Sequence, residues 1–217
     1  MITKNYDTIF FDLDGTLTDP KEGLTKCLQY SLSHFGIETE LDDLVQFIGP
    51  PMRVTFSKHF GLKDDEMDIA LLRARDYYSE KGIFECDIFD GIHKMLEKLK
   101  SANKILAIAT SKPTVYAIPV LEHFNLKKYF SFVSGAELDG TRDAKAEVIL
   151  HALENLKIKP SKNIVMVGDR EFDIIGAKKN SIDHIGVLYG YGTKEELESA
   201  GAKVMVKTVA ELTKLLL

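Results

Sequence analysis

This sequence is poor in every feature that marks a secreted, membrane-spanning or polynucleotide-binding chain. It holds two cysteines, Cys27 and Cys86, and two isolated cysteines are read as small buried hydrophobes rather than as a disulfide or metal pair. Its opening, Met-Ile-Thr-Lys-Asn-Tyr-Asp, lacks the apolar core of a secretory signal, so a reducing, cytoplasmic location is expected. No apolar run approaches membrane-spanning length, and no membrane partner is expected. Basic runs are missing too, and 33 acidic residues against 28 basic ones give a net charge of -5. A nucleic-acid polymer is therefore not an expected partner. A small anionic substrate stays open, because a few local cations and backbone amides hold a phosphate whatever the net charge. Internal repeats and low-complexity tracts, the marks of solenoids and linkers, are absent.

What is present is globular. With 217 residues, 45% hydrophobic and 28% charged, the chain suits a core domain carrying a smaller inserted or appended unit. Short apolar runs recur at 8–11, 105–109, 132–133, 164–167 and 185–188, each followed by small or polar residues, as in buried parallel strands. Between the later runs lie helical patterns: Ile92, Met95, Leu96, Leu99; Val115, Ile118, Leu121; and Val148, Ile149, Ala152, Leu153, Leu156. Such alternation predicts an α/β fold with a Rossmann-like, doubly wound, mostly parallel sheet and ligands at the carboxyl ends of its strands. From Pro20 to Asp87 the rhythm breaks. Helical stretches at 24–35, 41–47, 52–60 and 64–80, punctuated by Gly36, Gly49-Pro50-Pro51, Gly61 and Gly82, read as an inserted all-helical cap of roughly seventy residues. The expected division is a catalytic core of residues 1–19 and 88–217 and a cap of 20–87 that acts as a lid.

Four elements carry chemistry. Asp12-Leu13-Asp14-Gly15-Thr16 comes directly after the first apolar run. Residues two apart on a strand share a face, so the two carboxylates project together, repelling each other unless a cation neutralises them or they divide acid and base work. A surface turn is the plain alternative, and an EF-hand loop is excluded because Thr16 and Leu17 fall on its third ligand and Gly positions. Thr110-Ser111-Lys112 comes after the second run and leads to Pro113 at a helix start, where a hydroxyl and free amides suit a phosphate oxygen or simply an N-cap. Gly168-Asp169-Arg170-Glu171-Phe172-Asp173 comes after the fourth run and offers two acids one helical turn apart, fit for magnesium or for helix capping. Lys145 lies between the third and fourth runs, and taken alone it would be a solvated lysine.

In this order the four elements resemble the haloacid dehalogenase-like hydrolase superfamily, in the branch whose helical cap is inserted after the first motif. Asp12-Leu13-Asp14-Gly15-Thr16 matches the first motif, Thr110 the second, Lys145 the third, and Gly168-Asp169 with Asp173 the fourth. The resemblance implies a phosphate-monoester hydrolase that uses Mg2+. Asp12 would be the nucleophile, forming an aspartyl-phosphate, and Asp14 the general acid and then base. Asp12, the Asp14 carbonyl, Asp169 and Asp173 would form the metal site, and Thr110, Ser111 and Lys145 would hold phosphoryl oxygens. True dehalogenases lack the second acid of the first motif, Asp14 here, so carbon-halogen cleavage is not expected; β-phosphoglucomutases carry a cap His at the position of Leu24, so a phosphomutase is kept only as a minor alternative. Phe47-Ile48-Gly49-Pro50-Pro51-Met52 and the segment around Asp173-Ile174-Ile175-Gly176-Ala177 look most like the phosphoglycolate-phosphatase and 5'-nucleotidase group, with Arg53 expected to face the leaving group. The expected partner is a small phosphorylated metabolite, bound by a monomer or a homodimer. A phosphotransferase, or a catalytically silent regulatory protein on the same fold, stands as the alternative.

Overall fold

The computed structural model describes residues 4–49 and 52–217, so Pro50 and Pro51 of the Gly-Pro-Pro turn lie outside the described residues. The chain divides into two compact units, one formed by the chain up to Asp19 together with Ile88–Leu217, the other by Pro20–Asp87.

The first unit is built on a six-stranded parallel sheet. Its strands are β1 (Thr8–Phe11), β4 (Ile105–Pro113), β5 (Phe132–Ala136), β6 (Ile164–Gly168), β7 (Asp183–Val187) and β8 (Met205–Val206), in the order β5-β4-β1-β6-β7-β8. Two short strands, β2 (Thr18–Asp19) and β3 (Asp87–Ile88), pair separately. The helices of this unit are α5 (Ile92–Ser101), α6 (Thr114–His123), α7 (Lys145–Leu156), α8 (Glu171–Lys179), α9 (Lys194–Ala200) and α10 (Val209–Leu216). The β1 sequence Thr-Ile-Phe-Phe is buried at every position, because a central parallel strand is covered on both faces and has no solvent side on which polar residues could alternate. Phe10, Ala107 and Met166 meet Val148, Ile149, Ala152 and Leu153 of α7 and Ala177 of α8 in one cluster. Each large side chain buried in this way contributes on the order of 1.5–3 kcal/mol.

The strand order reverses at β1. From there the chain builds outward through β4 and β5 on one side, then returns to add β6, β7 and β8 on the other. Phe11 pairs with Ile108 of β4 and Val167 of β6, so the segments leaving β1, β4 and β6 emerge at one switch point, where doubly wound sheets bind ligands.

The second unit contains α1 (Lys21–Ser33), α2 (Leu41–Leu44), α3 (Met52–Phe60) and α4 (Asp64–Tyr77). Small residues bring α1 and α4 together, with Cys27 Sγ 3.0 Å from the Ala74 carbonyl and Ser31 Oγ donating to the Ala70 carbonyl at 2.8 Å. Cys27 is thus buried between two helices, while Cys86 is half-buried. The helix expected over 41–47 tightens into a 3-10 turn at Val45–Phe47, and that expected over 64–80 ends in a π-turn at Tyr78–Gly82.

Candidate active site

Asp12 is the first residue beyond β1. Its amide donates to the Val167 carbonyl at 2.9 Å, and its Oδ1 accepts from the Leu13 amide at 2.8 Å. The chain then closes a tight turn, in which the amides of Leu17 and Thr18 both donate to the Leu13 carbonyl. Gly15 serves that turn with φ of +82°, a left-handed conformation that a Cβ penalises. β1 ends at Phe11, so strand alternation does not govern the two acids. Asp12 meets Lys145, whereas Asp14 meets Lys112.

Lys145 is the first residue of α7 and is buried. Its Nζ lies 2.9 Å from Oδ1 of Asp12, 2.8 Å from Oδ1 of Asp173 and 3.2 Å from the Ala109 carbonyl. Burial alone would depress its pKa, but the Asp12 and Asp173 carboxylates outweigh that and hold it above the usual lysine range. The solvated-lysine reading is therefore excluded by packing.

Asp169 lies directly after β6, and Asp173 in the first turn of α8. The second oxygen of Asp173 accepts from the Arg170 amide at 3.1 Å, so this acid caps its helix and pairs with Lys145 at once. Oδ2 of Asp169 accepts from the Tyr191 amide at 2.8 Å, while its Oδ1 is buried without a hydrogen-bond partner. One oxygen from each of Asp12, Asp169 and Asp173 falls within 4.8 Å of the other two. Burial pushes the Asp169 carboxyl up to about 8, with the neighbouring Asp173 and Asp12 charges adding to it. Burial also raises Asp173, although Lys145 opposes the rise.

Three buried carboxylates face one ammonium, so the ionised group carries an excess of two negative charges. An all-oxygen donor set with that excess and a buried, partnerless carboxylate oxygen fits a hard divalent cation. The carboxylate of Asp14 is not in the set; its expected share in a metal site was through the main-chain carbonyl.

Thr110, Ser111 and Lys112 do not start a helix. They continue β4, whose register against β5 shifts between Ala109 and Pro113, and α6 begins at Thr114. Pro113 is the N-cap of α6, at the helix start expected there. Buried Thr110 accepts the Lys112 amide on Oγ1 at 3.2 Å, and Ser111 is half-buried beside it. Arg53 belongs to the second unit, where it is exposed on the first turn of α3, 3.4 Å from Asp68.

Two participants were given no role from the sequence. Lys112 lies 2.8 and 3.0 Å from the two oxygens of Asp14. The loop Tyr189-Gly190-Tyr191-Gly192 after β7 grips the other side: Tyr189 donates to the Thr16 carbonyl at 3.1 Å, Tyr191 donates through its hydroxyl to Asp19, and Gly190 packs on Gly15 and Asp169. Alternating Gly and Tyr directly after an apolar run was the available signal, since glycine at a strand end marks close backbone approach.

The haloacid dehalogenase-like hydrolase family model matches residues 9–187. A 5'-nucleotidase from Pseudomonas aeruginosa is 40% identical over 195 residues, 89% of this chain and 88% of that protein. Tyrosine-protein kinase PtkA from Mycobacterium tuberculosis is 37% identical over 207 residues, 94% of this chain and 70% of that protein. The crystal structure of a predicted phosphatase from Clostridium acetobutylicum superposes with a TM-score of 0.93 at 45% identity, covering 97% of this chain and 98% of that one. A match over most of the length, on a fold that gathers the acids of the first and fourth motifs around the lysine of the third, leaves one assignment: the chain belongs to the haloacid dehalogenase-like hydrolase family.

Proposed function

We propose that the protein is a Mg2+-dependent phosphatase that hydrolyses small phosphate monoesters through an aspartyl-phosphate on Asp12, with nucleoside 5'-monophosphates as the first substrates to test. The observation that carries this reading is the buried cluster of Asp12, Asp169 and Asp173 around Lys145 at the switch point of the sheet. The relative named as a 5'-nucleotidase supports the choice of substrate.

In this reading a carboxylate oxygen of Asp12 attacks phosphorus in line. The bond from phosphorus to the ester oxygen breaks, and that oxygen takes a proton from Asp14. Asp14, now a carboxylate, removes a proton from water as the water oxygen attacks the phosphoryl group, releasing phosphate and restoring Asp12. Lys145 holds Asp12 in place and, with Thr110 and Ser111, binds phosphoryl oxygens, so the donors are arranged before charge develops. Asp12, Asp169, Asp173 and the Asp14 carbonyl would hold Mg2+, which when bound neutralises charge between the nucleophile and the phosphate.

The test is phosphate release from a panel of nucleoside 5'-monophosphates, phosphoglycolate and sugar phosphates, with Mg2+ and with chelator, for wild type and Asp12→Asn. Turnover that needs Mg2+ and disappears in Asp12→Asn supports the reading; a folded, Mg2+-replete protein that turns over no monoester defeats it. The relative named as a kinase supports a second reading, in which a hydroxyl replaces water as the acceptor. Its mark would be a phosphorylated acceptor in place of free phosphate.

A further inference from the structure

Two buried lysines pair with three of the four acids of the site. Lys145 serves Asp12 and Asp173. Lys112 serves Asp14, with Nζ 2.8 Å from Oδ2 and 3.0 Å from Oδ1. The Lys112 side chain is 5% exposed and that of Asp14 18%, so the pair is shielded at the lysine and open at the carboxylate. A contact so poorly hydrated holds its geometry far better than a surface ion pair. The backbone explains how the lysine reaches the acid. β4 leaves regular register between Ala109 and Pro113, and the Lys112 amide turns onto Thr110 Oγ1, fixing residue 112 beside the end of the adjacent strand β1.

We infer that Lys112 is a positioning residue for proton transfer, gripping both oxygens of the Asp14 carboxylate so that it faces the attacking water from which it takes a proton. The inference rests on the proposed phosphatase mechanism, in which Asp14 moves the proton. Lys112 itself gives up no proton and acts through Asp14. A carboxylate held at one oxygen rotates about its terminal torsion, which is broad and nearly unrestrained. Contact of one ammonium with both oxygens, joined by Thr18 Oγ1 at 3.3 Å from Oδ1, removes that freedom. Direction matters because a misplacement of about 1 Å at a reacting group costs on the order of a hundredfold in rate.

A double-mutant cycle tests this. The kcat and KM for an alkyl phosphomonoester, at saturating Mg2+, are measured for wild type, Lys112→Met, Asp14→Asn and the double variant. Lys112→Arg serves as the conservative rescue, and thermal melts confirm folding. Lys112→Met is expected to lower kcat by about tenfold to a hundredfold with KM within about threefold, because the ordering of an acid–base group is lost. Lys112→Arg is expected to recover most of that loss. In the Asp14→Asn background, Lys112→Met is expected to cost less than about twofold, since residues that act as a unit are not additive. A Lys112→Met loss that persists undiminished without Asp14, or that shows as a rise in KM at constant kcat, overturns the inference. Lys112→Gln takes the place of Lys112→Met if the latter does not fold. A wild type that turns over no monoester defeats the phosphatase proposal and this inference together, whereas additive losses in an active enzyme defeat the inference alone.

Discussion

Gly15 packs so closely on Asp169 that a Cβ built on it would stand 2.6 Å from the aspartate Cγ. That approach seats the turn after β1 against the acid after β6, and it combines with φ of +82° at Gly15 to exclude any side chain twice over. Gly15→Ala must shift the turn or push Asp169 out of the carboxylate cluster. The expected result is a loss of phosphatase activity of at least about a hundredfold, with destabilisation above about 1 kcal/mol. Denaturant unfolding and steady-state kinetics check the two effects separately.

Lys145→Met removes the ammonium shared by Asp12 and Asp173 while leaving their carboxylates buried. Breaking a buried pair from one side costs about 3–5 kcal/mol, so the variant should melt well below wild type in chelator at neutral pH. Added Mg2+ should recover part of the loss, because a cation that binds the folded state stabilises it by mass action. Equal melting temperatures for variant and wild type in chelator would show that Lys145 does not compensate these acids.

In chelator the wild type should itself lose stability as pH rises. Burial lifts Asp169 from 3.8 to about 8 and Asp173 from 3.8 to about 6. Between the unfolded and folded values the folded chain therefore binds more protons than the unfolded one, and stability falls with increasing pH. The contribution is full below about pH 4 and declines through pH 6 and 8 as Asp173 and then Asp169 must ionise without a cation in the cluster. Thermal melts from about pH 5 to about pH 8.5 should show this trend in chelator, and Mg2+ should raise the melting temperature more at about pH 8 than at about pH 5.

The loop after β7 separates a backbone effect from a side-chain one. A Cβ on Gly192 would run into the Asp169 carbonyl, disturbing the end of β6, where Asp169 Oδ2 accepts from the Tyr191 amide. Gly192→Ala should raise the Mg2+ concentration needed for half-maximal activity by about tenfold or more, the scale of losses when groups orienting a metal ligand are disturbed. Tyr191→Phe keeps the amide and cuts only the hydroxyl contact with Asp19; its Mg2+ requirement should stay within about threefold of wild type. A Mg2+ titration of both variants decides between them.

The elements legible in the sequence were those whose cause is local. β1, with no polar residue facing solvent, declares a strand covered on both faces, and Ile92, Met95, Leu96 and Leu99 declare the inner face of α5. The turn from Asp12 to Thr18 was visible as well, because two acids and a glycine stand directly after a buried strand. Boundaries were less legible: the apolar run ends at Ala109, yet β4 continues to Pro113 through a shift of register against β5.

The sequence by itself determined the α/β alternation, the helical insertion and the acids at strand ends, because periodicity and residue type act over a few neighbours. Only the tertiary structure decided which charge meets which. Lys145 is one lysine among many until α7 buries its first turn beside Asp12 and Asp173. Lys112 becomes the partner of Asp14 only because β4 lies next to β1 and slips register at its end. Pairing across 98 residues of chain depends on strand order and crossover, and no local pattern encodes either.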